Sequence, residues 1–288
     1  MNISSRRTFL KASGAVAATA CIGVDHLAAT PLHLPIGLEL YSVRNLLPKD
    51  FGGTLHQVAA AGYKEVEAAG YYDKSAADFG NAMQKAGLRC ISTHHALSVL
   101  RPQLEKLIEY GQALGLKYII CSSPGGVHRD PAAKGELTLD DYRWVADEFN
   151  KIGEKVKAAG VIFGYHNHGP EFGSEKGVVF YDELLRLTDP KLVFFQLDCG
   201  WISAAGHDPV KYLSKSPERF PMLHVKDMVK GPNGQFHSTI MGHGVVDYRP
   251  ILRAATGLKH YFIEQEEFEG DPMEALREDA DYMRKLDV

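Results

Sequence analysis

Acidic and imidazole side chains stand at the ends of several apolar, strand-like runs of this sequence. Asp198 ends the run LVFFQLD, His224 lies within PMLHVKD, and Glu264 ends HYFIE. Burying a carboxylate at the end of such a run is unfavourable unless a cation or a hydrogen-bond donor meets it. On neighbouring strands these side chains converge, and His166 at the end of VIFGYH completes the set. We predict a divalent metal site of mixed nitrogen and oxygen ligands, suited to Mn²⁺, Co²⁺, Zn²⁺ or Fe²⁺.

Several of these positions have alternatives. His168 and Glu171 lie close enough to His166 in the chain for either one to replace it at the ion. A single histidine in a strand is more often a hydrogen-bonded core residue than a ligand, and Glu65 and Glu67 could form an exposed face of the second strand. The combination of such residues on consecutive strands is what favours a metal site.

The runs that carry these residues recur along the whole chain after residue 30. Eight of them begin near Ile36, Lys64, Leu88, Lys117, Val161, Leu192, Pro221 and His260. Segments of helical pattern separate them, at residues 54–61, 75–86, 101–114, 139–159, 180–187, 209–213, 248–255 and 273–286. Eight strand–helix units of roughly 30 residues predict an α/β fold of the (β/α)8 TIM-barrel type, with one domain over residues 31–288. The first run lacks the glycine-rich loop that a doubly wound nucleotide-binding sheet would show.

Composition limits the classes of function. The chain has 288 residues, of which 45% are hydrophobic and 24% are charged, and its formal net charge is −4. This acidic balance argues against nucleic acid as a partner. No apolar run approaches the ~20 residues that a membrane span requires, so we expect no stable span.

The first 30 residues have the composition of an export signal. Arg6 and Arg7 precede a weakly apolar stretch rich in Ala and Gly, and Ala28 and Ala29 offer a cleavage site. This resembles a twin-arginine signal, and it predicts export to the periplasm with the twin-arginine translocase as a transient partner. A basic amphipathic first helix is the alternative. Lipid anchoring at Cys21 is disfavoured, because the position three residues before Cys21 is Ala rather than Leu.

Cleavage would leave three cysteines in the mature chain. Cys90, Cys121 and Cys199 each lie in or beside an apolar, strand-like run. Their odd number and their positions favour buried thiols over a disulfide framework.

As a set, the motifs resemble the xylose-isomerase-like sugar phosphate isomerase/epimerase family of TIM barrels. The resemblance covers nearly everything after the signal and rests on GLELYSVR, GYKEVE, YHNH with EF, LD, HVKDM, MGHGVVD and IEQE in this order. It implies a divalent metal held by strands five to eight, which maps to His166, Asp198, His224 and Glu264. Many epimerases of the family carry Glu where this chain has His166, and they exchange a proton between two carboxylates. An imidazole there resembles the branch that includes inosose dehydratase and enzymes of 3-keto-sugars.

The same comparison suggests roles for further residues. Glu264 would be a ligand and a base, Glu266 its partner, His94 a second acid or base, and Lys226 would stabilise a developing oxyanion. Substrate contacts are expected from Glu39, Tyr41, Glu67, His168, Trp201 and His243.

Three classes of function remain open at this stage. The first is a metal-dependent sugar isomerase or epimerase acting on a ketose through an enediolate. The second is a lyase, dehydratase or hydratase acting on 3-keto-sugars or inosose-like substrates, and the third is an exported carbohydrate-binding protein without catalysis. Fold alone does not separate them. The sequence leaves the oligomeric state open, and a homo-oligomer is one possibility.

Overall fold

The computed structural model describes residues 32–288, so the predicted signal, with Arg6, Arg7 and Cys21, lies outside the described residues. Eight parallel strands close into a barrel, in the spatial order β1-β8-β7-β6-β5-β4-β3-β2. The barrel strands are β1 (Gly37–Glu39), β2 (Glu65–Ala68), β3 (Arg89–His95), β4 (Tyr118–Cys121), β5 (Ile162–His166), β6 (Val193–Asp198), β7 (Met222–Val225) and β8 (His260–Ile263). The fold is therefore the predicted (β/α)8 barrel.

Helices follow the strands around the outside of the barrel. They are α1 (Phe51–Ala60), α2 (Ala76–Ala86), α3 (Leu97–Leu114), α4 (Leu139–Ala158), α5 (Phe180–Leu187), α6 (Cys199–Ala204), α7 (Pro209–Lys215), α8 (Tyr248–Ala254) and α9 (Pro272–Lys285). No helix within residues 32–288 combines the length and the apolar character that a membrane crossing requires.

Local sequence signals set the helix ends. Thr138 caps α4 by accepting from the backbone N–H of Asp141, whose side chain accepts from the N–H of Thr138 in return. This reciprocal capping box satisfies two amides that the helix leaves unpaired. At the other end of α2 and α3, Gly87 and Gly115 adopt φ of 73° and 70°, a left-handed conformation that favours glycine.

Inside the barrel, side chains that point inward form layers. Glu65 and His260 pair at the end where the strands begin, with 2.7 Å between Glu65 Oε2 and His260 Nδ1. Above them lies a small apolar cluster of Ile91, Tyr118, Ile120, Met222 and Phe262. The inward residues beyond this cluster, where the strands end, are polar and ionisable. An apolar layer thus lies inside the barrel beneath the polar residues at its carboxyl-terminal mouth.

The predicted start of each barrel strand is confirmed to within about one residue. Several short elements, however, were not predicted. The sequence analysis did not predict α6 or the two hairpins that follow β5 and β7, formed by Ser174–Glu175 with Val178–Val179 and by Asp227–Lys230 with Phe236–Thr239. The alternative that Glu65 and Glu67 form an exposed face is wrong, because both side chains point into the barrel and are buried. The three cysteines of residues 32–288 are free thiols, and Cys121 and Cys199 are buried as expected.

Candidate metal centre and active-site cavity

The four predicted ligands meet at the mouth of the barrel. One donor atom from each of His166, Asp198, His224 and Glu264 lies within 4.8 Å of every other, and all four residues are buried. Strand register explains the convergence: Asp198 is directly opposite His224. His224 in turn pairs with Phe262, two residues before Glu264 and on the same face. Separate strands therefore aim two imidazoles and two carboxylates at one point.

Two buried atoms of this set make no hydrogen bond within the described chain. They are Nδ1 of His166, which has no partner, and Oδ2 of Asp198, which makes an ion pair with Lys226 Nζ at 3.2 Å instead. A buried polar atom without a partner costs about 1–3 kcal/mol, so structures seldom retain one without a reason. A divalent cation would satisfy both atoms, and the donor set of two imidazoles and two carboxylates suits Zn²⁺, Mn²⁺, Co²⁺ or Fe²⁺. The residues present fit such an ion.

Lys226 neutralises part of the negative charge beneath the mouth. Its Nζ lies 3.2 Å from Asp198 Oδ2 and 2.9 Å from Glu264 Oε2. It also lies 2.5 Å from Glu266 Oε1. Burial opposes a charge on Lys226, but the three carboxylates raise its pKa well above the usual value. Burial likewise opposes the charge of Glu264, yet Lys226 and His224 hold the pKa of that carboxyl well below its usual range.

His224 is held between two carboxylates. Its Nδ1 is 2.9 Å from Glu264 Oε2 and its Nε2 is 2.7 Å from Glu67 Oε1. Burial alone would lower the pKa of His224, but hydrogen bonds to the two carboxylates raise it to about 9. Glu67 also lies 2.9 Å from Nε2 of His94 and accepts from the side-chain amide of Gln196. It is thus the common anchor of two imidazoles.

Two other imidazoles at the mouth, those of His166 and His168, are uncharged at neutral pH. Burial, reinforced by His224 and His168, lowers the pKa of His166 well below its usual value. Burial and the nearby Lys226 ammonium lower the pKa of His168 to about 4. A neutral imidazole can coordinate a metal through one ring nitrogen, whereas an imidazolium cannot, so His224, whose pKa is raised, would release its Nδ1 proton when an ion binds.

Asn167 ties the ends of β5 and β6 together. The last registered pair of this ladder is His166 with Gln196. Beyond it, the buried Asn167 side chain accepts from the backbone N–H of Asp198 at 3.0 Å and donates to its carbonyl at 3.4 Å. Asp198 Oδ1 in turn accepts from the N–H of Trp201 and caps α6. These contacts fix His166 and Asp198 side by side and leave Oδ2 of Asp198 facing the centre.

A cavity of about 1240 Å³ opens over this cluster. Of the residues predicted to act on the substrate, those that line it are Glu39, Tyr41, His94, His166, His168, Trp201, Glu264 and Glu266. Glu171, the third candidate for the strand-five ligand, also lines it, and its carboxylate is engaged by Tyr165 Oη at 2.6 Å and by the N–H of His168 at 3.0 Å.

Five predicted site residues do not line the cavity. Asp198, His224, Glu67 and Lys226 are fully buried beneath it, and the carboxylate of Glu67 contacts His94 and His224 instead of facing the cavity. His243 is exposed and outside the lining. Its loop is fixed by Asp227, which accepts from the backbone N–H groups of Gly242 and Gly244.

Gln196 and Asn167 are site residues that the sequence analysis missed. Gln196 accepts from His94 Nε2 at 2.7 Å while it donates to Glu67 at 2.9 Å. An uncharged amide within an apolar run carries no ionic signal. Its position two residues before Asp198, on the same strand face, was the clue that could have found it.

Comparison with known proteins identifies the family. The chain matches the xylose isomerase-like TIM barrel family over residues 55–286, and it belongs to this family of enzymes. Residues 4–23 match the signal sequence of the twin-arginine translocation pathway. The chain therefore carries an export signal ahead of its barrel.

Individual relatives bear two kinds of name. An inosose dehydratase from Clostridium botulinum is 26% identical over 231 residues, which cover 70% of this chain and 76% of the relative. A solved sugar phosphate isomerase/epimerase from Parabacteroides distasonis is 29% identical with a TM-score of 0.73, covering 87% of this chain and 98% of the other. A structure of the protein IolI with a bound zinc atom shares the fold, at 14% identity and a TM-score of 0.66, covering 86% and 96% of the two chains.

Proposed function

We propose that this protein removes a proton next to the carbonyl group of a carbohydrate, with a divalent ion held by His166, Asp198, His224 and Glu264. The observation that carries the proposal is the convergence of these four buried side chains at the floor of a large cavity. The zinc atom in the related fold of IolI supports it. The ion would act as a Lewis acid toward the carbonyl oxygen of the substrate and stabilise negative charge there.

Two residues that line the cavity, Glu266 and His94, have unlike chemistry. Glu266, on the segment after β8, lines the cavity, and burial raises the pKa of its carboxyl despite the neighbouring Lys226. We assign it the removal of the proton, because a carboxylate with a raised pKa is a better base. His94, on β3, has Nε2 engaged by Glu67 and Gln196, which leaves Nδ1 as the nitrogen available to a substrate hydroxyl.

Isomerisation or epimerisation of a ketose is the first outcome of this chemistry. The base takes the proton from carbon, the electron pair of the C–H bond forms the enediolate, and the proton returns to a neighbouring or the same carbon. The solved structure named as a sugar phosphate isomerase/epimerase supports this reading.

Dehydration is the second candidate, and His166 favours it. The same proton is removed, but the electron pair then expels a hydroxyl group from the next carbon, and an acid such as His94 protonates that hydroxyl so that it leaves as water. A site whose proposed acid–base residues are a carboxylate and an imidazole suits two unlike proton transfers better than a symmetrical exchange. The relatives named inosose dehydratase support this candidate.

An experiment in deuterated water separates the two. The purified protein, supplied with each divalent ion, is incubated with a panel of ketoses, keto-sugars and inososes and followed by NMR. Deuterium uptake without loss of water identifies an isomerase or epimerase, whereas an unsaturated product identifies a dehydratase. Absence of both across the panel, in protein that retains the ion, contradicts the proposal and leaves the carbohydrate-binding class.

We also propose that the enzyme works in the periplasm. The twin-arginine signal supports export, and this pathway carries proteins that have already folded. Folding before export would allow the centre to be loaded with its ion in the cytoplasm. The translocase is then a transient partner of the precursor.

A further inference from the structure

The cavity extends well beyond the predicted metal centre, and it does so toward one side of the barrel. Its volume of about 1240 Å³ exceeds the range of about 300–1,000 Å³ that is typical of small-molecule sites. The inner end is lined by the ligand residues His166 and Glu264 together with Glu39, His94 and Trp201. From there the cavity continues over the ends of β3, β4 and β5.

This second part, which we call the outer chamber, is lined by Val99, Ser122, Ser123, Leu137, Tyr142 and Phe180. The rings of Tyr142 and Phe180 stack, with 4.6 Å between their centroids. The carboxylate of Glu136, next to Leu137, also lines this part. Apolar and aromatic walls with a few hydroxyl and carboxylate groups are typical of pockets that bind uncharged, hydroxyl-bearing groups. The chamber is continuous with the metal centre, so its occupant would be part of the same molecule.

The charge of the lining argues against a phosphorylated occupant. No Lys or Arg of residues 32–288 lines the cavity, whereas five glutamates do: Glu39, Glu136, Glu171, Glu264 and Glu266. Lys226 is sealed beneath the floor by its three carboxylates. Arg101 and Lys134 line a separate depression of about 370 Å³ on the other side of Gly126 and Gly135. Phosphate sites are normally built from Arg, Lys or helix N-termini.

Helix N-termini do open near the chamber. Helix α5 begins at Phe180, whose N–H donates to the carbonyl oxygen of Gly173 at 3.0 Å. Helix α3 begins after Ala96, which lines the cavity, and the cap makes no side-chain hydrogen bond. However, the first amide of this helix, that of Leu97, already donates to the carbonyl oxygen of Ser123 at 3.0 Å. With the carboxylate-rich lining around it, this end favours a hydroxyl or ether oxygen over a phosphate dianion.

We infer that the substrate is an uncharged carbohydrate of more than one unit. Its carbonyl-bearing unit would occupy the metal centre, and a neutral glycosidic substituent would occupy the outer chamber. The inference rests on the proposed function for the position of the carbonyl, and it goes further by naming the substrate class.

Binding of three ketoses tests this inference without requiring turnover. Fructose, fructose 6-phosphate and lactulose, a neutral disaccharide that ends in fructose, are titrated calorimetrically into the metal-supplied protein. We expect lactulose to bind at least about tenfold more tightly than fructose, and fructose 6-phosphate no more tightly than fructose. The inference is overturned if fructose 6-phosphate binds most tightly, or if lactulose binds no more tightly than fructose. Absence of binding by all three sugars overturns it as well. Lactulose binding without turnover would leave this inference standing while the proposed chemistry failed.

A variant that fills the chamber gives a second measurement. Leu137→Trp should weaken lactulose binding about tenfold and leave fructose unchanged. The matched control is Ile162→Trp, because Ile162 is exposed at the opposite end of β5 and should not affect either ligand. Ser123→Phe replaces Leu137→Trp if circular dichroism shows that the latter does not fold. Equal weakening of both sugars by a folded filling variant would contradict the assignment of the chamber.

Discussion

The carboxylate of Glu67 accepts a hydrogen bond from Nε2 of His224 at 2.7 Å, although the two residues lie 157 positions apart in the chain. This contact engages one ring nitrogen, so the other, Nδ1, faces Glu264 and the remaining predicted ligands. A carboxylate behind a ligating imidazole fixes its orientation and increases its basicity. Glu67 therefore sets the orientation in which His224 faces the other residues of the candidate metal centre.

Replacement of Glu67 tests this dependence. Glu67→Gln should lower the affinity for the divalent ion by about 10- to 100-fold, because His224 loses the negatively charged acceptor that orients it and increases its basicity. Competition with a chelating dye measures the affinity, so the result does not depend on turnover.

Glu65→Gln is the matched control for that variant. Glu65 lies on the same strand and is equally buried, but it pairs with His260 and Arg89 at the other end of the barrel. The substitution should lower the free energy of unfolding and leave the metal affinity nearly unchanged. Equal loss of affinity in both variants would show that Glu67 acts only through general stability.

The fold follows closely from the sequence, because the strand-forming runs and the glycines that end the helices are local signals. Gly87 and Gly115 mark the ends of α2 and α3 in the sequence, and the structure places them there. Of the elements that were missed, α6 begins at Cys199 directly after β6 and has six residues, too few for a helical pattern to emerge.

The candidate site could be predicted only for residues whose position follows from lying at the end of a strand. His166, Asp198, His224 and Glu264 follow from their places on parallel strands. The depth of a side chain in the barrel depends on the register between neighbouring strands, which cannot be read from the sequence. Glu67, expected to contact substrate, lies instead beneath the cavity, because His94, Gln196 and His224 all contact its carboxylate. His243 lies outside the cavity because Asp227 holds its loop.

A buried acid away from the centre predicts how stability depends on pH. Burial raises the pKa of Asp279 on α9 to about 7, while its Oδ1 accepts from the N–H of Met241 at 2.8 Å. A carboxyl whose folded-state pKa is raised stabilises the fold fully below its unfolded pKa, near 3.8. The stabilisation is then lost as the pH rises through about 7.

Asp279→Asn removes this charge and keeps an oxygen acceptor for Met241. We expect it to raise the free energy of unfolding at pH 8 by on the order of 1 to 3 kcal/mol, and to change it little at pH 4. Urea unfolding at the two pH values measures the difference. Glu278→Gln, an exposed change on the same helix, is the control. A gain that is the same at both pH values would exclude the ionisation of Asp279 as the cause.

The export signal gives a prediction in cells. Arg6→Lys together with Arg7→Lys should leave the precursor in the cytoplasm, because the paired arginines are the feature that the translocase recognises. Fractionation followed by immunoblotting compares the variant with the unaltered chain. Undiminished export of the double variant would show that another route carries the protein.

The metal content of Asp198→Asn tests the central claim most directly. Asparagine keeps the oxygen that caps α6 by accepting from Trp201 N–H, but it removes the negative charge from the atom that faces the centre. Elemental analysis should find about one divalent ion per chain in the unaltered protein and a loss of most of it in the variant, with a folded circular dichroism spectrum in both. An unaltered protein that retains no ion after exposure to Mn²⁺, Co²⁺, Zn²⁺ and Fe²⁺, or a variant that retains it fully, would contradict the account.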